Sequence, residues 1–239
     1  MSRLTASIKI IAAVTLIHAS RAEAAPAIQP TPGDIIQKMY NASSNVTSYS
    51  DSGTVRTLVT VGGQSRVQMT WFSIAFKKPG FLRIDWTAPA NGRKDTYVLW
   101  REKKDTFLYS ERLKQYRKDP SLANTLNSLM VQSGGAVRHV PCMLMKIMNK
   151  QEFSDLSGLK FESTDRINDG DCYKVSGARK ESRVTLWIDK KDYLLRKMET
   201  SSALGSVLEI HDNIKINGNI ENNALFFTPP PDSRKVDKF

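Results

Sequence analysis

Histidine is close to absent from this sequence, and most of the familiar catalytic arrangements go with it. Of three histidines, His18 falls in an N-terminal leader, which leaves His139 and His211 for the rest of the chain. Neither sits in a nucleophile–base motif of the Ser–His or Cys–His type. There is no phosphate-cradling glycine loop, no dinucleotide fingerprint, no calcium loop and no His-Glu-x-x-His run. Neither a metal nor a cofactor is expected, and the chain does not read as an enzyme. Paired carboxylates for glycoside chemistry need no local motif, so an enzyme with an unrecognised site stays open as a third reading.

Long apolar runs are the second absence. The one apolar stretch near the start, Ile10 to Ala19, spans about ten residues, half of what a membrane-crossing helix needs. Arg3 and Lys9 precede or open it and Ala22-Glu23-Ala24 follows, the pattern of a cleavable signal peptide over residues 1–24. Residues 25–30 read as an Ala/Pro linker and residues 31–239 as one domain. No cysteine follows the cleavage site, so lipidation is not expected there. The expectation is a soluble exported protein, in a bacterium located in the periplasm.

Cysteine is the third scarcity. Cys142 and Cys172 are the only two, and an oxidising compartment favours pairing them. Such a bridge would close a 30-residue loop and add roughly 3 kcal/mol on the chain-entropy model. The alternative is two reduced, buried thiols acting as small apolar side chains.

Positive charge is abundant by contrast. The formal net charge is +11, and removal of Arg3, Lys9, Arg21 and Glu23 with the leader makes it +9. That excess fits an anionic partner such as acidic headgroups or an acidic protein, or simply a solubilising surface. Nucleic acid is not expected of an exported chain.

What fills the rest is strand and turn. In Lys77-Lys78-Pro79-Gly80-Phe81-Leu82-Arg83-Ile84-Asp85-Trp86, a proline–glycine turn precedes apolar residues at a period of two, the mark of a half-buried strand. Similar strands are read at Thr54–Val61, Ser65–Phe76, Thr96–Trp100, Phe107–Tyr109 and Lys114–Arg117, with Gly62-Gly63 and Asn91-Gly92 as hairpin turns. Strands resume at Leu159–Arg166, Cys172–Ser176, Arg183–Asp189, Tyr193–Thr200 and Val207–Ile216. The short links imply an antiparallel meander.

Helical patterns occur in two places. Thr31-Pro32 opens an amphipathic helix reaching about Ser44. Asp119-Pro120 is read as the cap of a second helix, with Leu122, Leu126, Leu129 and Met130, stopped by Gly134-Gly135. Pro141 starts a third segment, and Met130, Met143, Met145 and Met148 crowd this insert. Methionine suits irregular cores and adaptable binding surfaces alike.

The basic-Pro turn leading to Trp86, the Val184–Asp189 strand, the strand and turn reaching Asn213–Ile220, and the ending Leu225-Phe226-Phe227-Thr228-Pro229-Pro230 together resemble the LolA family of periplasmic lipoprotein carriers and the wider lipoprotein-sorting superfamily. The resemblance implies a mainly β (α+β) fold, a strongly curved antiparallel sheet forming an unclosed half-barrel with helices covering its concave face. It implies a monomeric carrier that binds acyl chains of a lipoprotein or phospholipid, touches membrane surfaces transiently, and meets an inner-membrane release complex and an outer-membrane acceptor. Burying lipid tails releases roughly 0.8 kcal/mol per methylene, so an apolar cavity suffices. Leu82, Ile84, Trp86, Trp100 and Trp187 are expected on the cavity side of the sheet, and Leu126, Met130, Met143 and Met148 on the helices. Strand parity decides those assignments, since a slip of one residue reverses every face. The turn position that latches lid helices with an arginine in well-studied carriers is Lys78 here, which keeps the charge and loses the planar fork. A sensor or structural module of the same fold, binding a protein through its basic surface, is the second reading.

Overall fold

A computed structural model describes residues 29–90, 93–130, 132–147 and 151–239. The expected signal peptide, most of the linker, the Asn91-Gly92 turn and Met148 lie outside the described residues.

Helix α1 (Pro32–Asn45) begins with a capping box: the Thr31 side chain accepts from the Asp34 amide, and the Asp34 carboxylate accepts from the Thr31 backbone. Ile35, Ile36 and Met39 form its buried stripe. Six strands follow, β1 (Ser48–Val61), β2 (Gln64–Lys77), β3 (Phe81–Ala90), β4 (Arg93–Glu102), β5 (Asp105–Ser110) and β6 (Gln115–Asp119). Gly62 and Gly63 join β1 to β2 with φ of +58° and +78°, the conformation that a two-residue hairpin turn requires and glycine tolerates. Next come α2 (Leu122–Leu129) and α3 (His139–Met145). Ser121, not Asp119-Pro120, caps α2 with its side chain, and α3 starts before Pro141. The second meander is β7 (Ser157–Ile167), β8 (Gly170–Arg179), β9 (Ser182–Asp189), β10 (Leu195–Ser202) and β11 (Gly205–Ile216). A short α4 (Asn222–Leu225) and β12 (Arg234–Lys235) finish the chain.

All twelve strands make one sheet in the order β12-β6-β5-β4-β3-β2-β1-β11-β10-β9-β8-β7. Antiparallel β1–β11 pairing, from Tyr49↔Ile216 to Val59↔Gly205, welds the two meanders together. Only the two-residue β12–β6 contact is parallel. The outermost strands, β12 and β7, do not pair with each other, so the sheet is an open half-barrel.

The main core lies between the concave face and the helices: Ile74, Leu82, Ile84, Trp86 and Leu186 from the sheet meet Met39, Leu126, Val140 and Met143. The convex face is also covered in part. Val98, Trp100 and Tyr109 cluster beneath Phe227, and Ala75 and Phe81 pack with Ile220 and Leu225. Arg83 Nη1 donates to the carbonyls of Asn223 and Phe226, and Arg117 Nη1 to that of Phe239, which ties the C-terminal segment down.

Two expectations are corrected by this arrangement. Trp100 and Trp187 face the convex side. In β9 both faces are buried, so the run Val184–Asp189 carries no alternation from which to read parity; Val184, Leu186 and Ile188 take the core and Trp187 points away, between Lys174 and Lys197. The disulfide is not formed either. Cys142 and Cys172 are free and buried, the first in the concave core. Cys172 pairs with Asp189, out of phase with the core pair Tyr173↔Ile188, so the sheet stands between the two thiols. Burial raises the Cys142 thiol to about 12 and that of Cys172 to about 11.

Candidate functional site

The concave face is not filled along its whole length. Toward the β1–β2 hairpin the inward positions change from large apolar residues to small or polar ones: Thr57 and Val59 on β1, Gln68 and Thr70 on β2, Ala88 on β3, Val207 on β11. Helix α2 ends before reaching them, and the loop carrying Met130, Gln132, Gly134 and Gly135 takes over. Gly134, at φ +66°, lies so close to β1 that a Cβ there would stand 2.9 Å from Val55 Cγ1. Between loop and sheet is a cavity of about 530 Å³, to which Met198, Arg138, His139 and Arg179 also contribute. That is within the ordinary range for small-ligand sites. A larger, more polar groove of about 1070 Å³ adjoins it and shares Arg138, Arg179 and Thr200.

Exposed apolar side chains gather near this mouth. Val59 and Met130 stay in contact with solvent, and Leu204, at the tip of the β10–β11 hairpin, is 73% exposed. The Thr60 amide donates to the Leu204 carbonyl, which places that tip beside the end of β1.

A buried charged cluster lies beside the packed core, reaching from the level of Thr70 to that of Ile74. His211 Nδ1 lies 2.7 Å from Asp51 Oδ2 and its Nε2 lies 2.9 Å from Glu209 Oε1, with all three side chains fully buried. The Tyr49 hydroxyl donates to the same Asp51 oxygen at 2.7 Å. Burial alone would depress the His211 pKa, but hydrogen bonds and charge from Asp51 and Glu209 outweigh it and raise it to about 10. The imidazole is therefore a permanent cation at neutral pH. Burial likewise pushes Glu209 up, yet His211 holds it below the ordinary carboxylate value. Nearer the mouth, His139 Nδ1 lies 3.0 Å from Glu152 Oε1. Burial opposes ionisation of Glu152, and His139, Arg138 and Arg179 overcome it to lower its pKa. Among the described residues no group of His, Cys, Asp and Glu is arranged to hold a metal ion.

Of the described residues nominated from sequence, Met130 alone lines the cavity. Leu82, Ile84, Trp86, Leu126 and Met143 are on the concave side but sealed in the core, while Trp100 and Trp187 are on the other face. Lys78 sits in the turn between β2 and β3, and its Nζ donates to the Ser44 carbonyl at 3.1 Å, in the last turn of α1. A cation there complements the helix dipole. Its hydrogen-bond partner among the described residues is in α1, while Leu144 and Met145 of α3 share a small pocket with it. The sequence reading missed Thr57, Val59, Arg138 and Arg179, which share no motif; the Gly134-Gly135 pair was the one local sign.

A family model described as "Predicted periplasmic protein (DUF2092)" matches residues 33–238. No curated protein matches the chain by sequence. Among solved structures, lipoprotein LppX of Mycobacterium tuberculosis aligns with 80% of this chain and 97% of its own, at 13% identity and a TM-score of 0.50. An uncharacterized conserved protein from Thermus thermophilus aligns with 86% of this chain and 98% of its own, at 13% identity and a TM-score of 0.51. A LolA superfamily protein from Nitrosomonas europaea covers 83% of this chain and 99% of its own at 13% identity, with a TM-score of 0.35, too distant to carry weight. At such identities the likeness is one of fold.

Proposed function

The chain belongs to the DUF2092 family of predicted periplasmic proteins, and we propose that it is a periplasmic carrier that holds one acyl chain in the mouth cavity and exchanges it at a membrane surface. The observation that carries this reading is the 530 Å³ cavity on the concave face, walled in good part by Val59, Ala88, Met130, Met198 and Val207. At about 30 Å³ for a water-sized group, that volume takes roughly 18 such groups, which suits one acyl chain better than several. The exposed Val59, Met130 and Leu204 around the opening would meet the apolar layer of a membrane during exchange.

Lys78 enters this reading as a latch. It ties the β2–β3 turn to α1, which packs against α3, so loosening it would ease movement of the helical cover. Displacement of a fluorescent long-chain fatty acid by unlabelled oleate tests the carrier reading: saturable binding at one chain per protein is expected. Failure of any single-chain lipid to bind would refute it.

A further inference from the structure

Arg138 and Arg179 stand where the apolar cavity meets the polar groove, and both line both spaces. Their side chains are only 24% and 26% exposed. In each the Nε is buried and has no hydrogen-bond partner among the described residues. Arg138 makes one side-chain hydrogen bond there, a weak one from Nη1 to Met130 Sδ at 3.7 Å. Its ion pair with Glu152 is also long, at 3.7 Å, and Arg179 approaches the same carboxylate at 4.0 Å. Glu152 is already engaged by His139, and Asp155 accepts from Arg179 at 2.7 Å. Two guanidinium groups are thus mostly withdrawn from water with unused donors, and each donor left unmade is costly.

We propose that Arg138 and Arg179 seat the oxyanion head of an amphiphile, a phosphate or carboxylate, whose single tail lies in the cavity. This rests on the acyl-chain reading above and narrows it to anionic lipids. The planar guanidinium fork matches such oxyanions in two-point contacts, which a neutral ester or alcohol head cannot reproduce. The head would sit at the groove and the tail would run inward beneath the Gly134 loop toward Thr57 and Val207.

Calorimetric titration of the mature protein with 1-oleoyl lysophosphatidic acid, with 1-oleoylglycerol and with inorganic phosphate, the lipids kept below their aggregation thresholds, separates head from tail. The anionic lipid is expected to bind at least about tenfold more tightly than the neutral one, the effect of one or two charge-assisted hydrogen bonds. Arg138→Gln and Arg179→Gln are each expected to bring that ratio down toward one. Arg179 also packs on Phe153, so if its variant misfolds by circular dichroism, Arg138→Gln decides. Equal affinities for the two lipids in the wild type, or a ratio unmoved by Arg138→Gln, would overturn the anion seat and leave the acyl-chain reading standing. Binding of neither lipid would overturn both. Inorganic phosphate binding as tightly as the anionic lipid would mark a site for free anions and overturn the headgroup assignment.

Discussion

At the end of the concave face nearest the Lys78-Pro79 turn, β2 presents Phe76, Ile74 and Phe72 and β3 presents Leu82, Ile84 and Trp86, all buried beneath the helices. At the other end the same two strands present Thr70, Gln68 and Ala88, and a cavity replaces the packing. Pairing between β1 and β2 continues across the change to Val61↔Gln64, whereas pairing between β2 and β3 runs from Phe76↔Leu82 and ends at Trp71↔Thr87, where the change begins. The hollow therefore coincides both with smaller side chains and with the parting of β2 from β3. Interiors pack to crystal-like density where shapes allow it; here the side chains shrink as α2 ends, and nothing else among the described residues fills the space.

Truncating the packed end should have the largest effect. Trp86, stacked on Tyr97 at 5.2 Å and 1% exposed, when changed to Ala is expected to cost about 3–5 kcal/mol in urea unfolding, through lost burial and the cavity left behind. A cost below about 1 kcal/mol would mean that this end is not the stable base described.

The buried charged cluster beside the packed end comes next. Replacing His211 with Asn leaves Asp51 and Glu209 buried without their cation, and a loss of about 3 kcal/mol or more is expected. The pH dependence has a definite sign. His211 has its folded pKa raised from 6.5 to about 10, so its stabilisation is complete below about 6.5 and fades as pH rises through about 10. Glu209 is shifted downward from 4.5, so its stabilisation is present above that value and is lost on acidification. Stability should therefore peak between these limits and decline on both sides. In the His211→Asn variant the alkaline decline should weaken, which a series of urea melts from about pH 5 to about pH 10 would show.

Filling the hollow should separate function from stability. Thr57→Phe projects a ring into the cavity from β1. Acyl-chain affinity is expected to fall at least about tenfold while stability changes by about 1 kcal/mol or less. Equal losses in both would erase the distinction between the two ends.

The smallest effect is expected at the latch. Lys78→Ala removes one hydrogen bond at a helix C-terminus, worth about 0.3–1 kcal/mol, and should speed exchange of a bound fluorescent fatty acid in stopped-flow measurements. An unchanged release rate would leave Lys78 an ordinary turn residue.

The fold was readable in the sequence to the extent that local chemistry forced it. The Thr31 capping box, the Gly62-Gly63 hairpin and the alternation of Leu82, Ile84 and Trp86 each follow from neighbouring residues. Where both faces of a strand are buried the alternation disappears, which is why the sequence puts Trp100 and Trp187 on the wrong side: the C-terminal segment with Phe227 covers the first, and Lys174 and Lys197 lie against the second. The two-residue β12 and the four-residue α4 are too short to show a period. The mouth is hidden for a different reason. A cavity is marked by what is small, and Thr57, Gln68, Ala88 and Val207 look like ordinary strand residues until β1–β11 pairing and the Gly134 loop bring them together. The charged cluster is equally silent, because Asp51 and His211 are 160 positions apart.

Native mass spectrometry of the mature protein incubated with oleate, wild type beside Thr57→Phe, tests the central claim most directly. The wild type is expected to carry one acyl chain per protein and the variant none. A wild type that stays free of lipid, or an adduct equally abundant in the variant, would contradict the mouth cavity as the acyl-chain site.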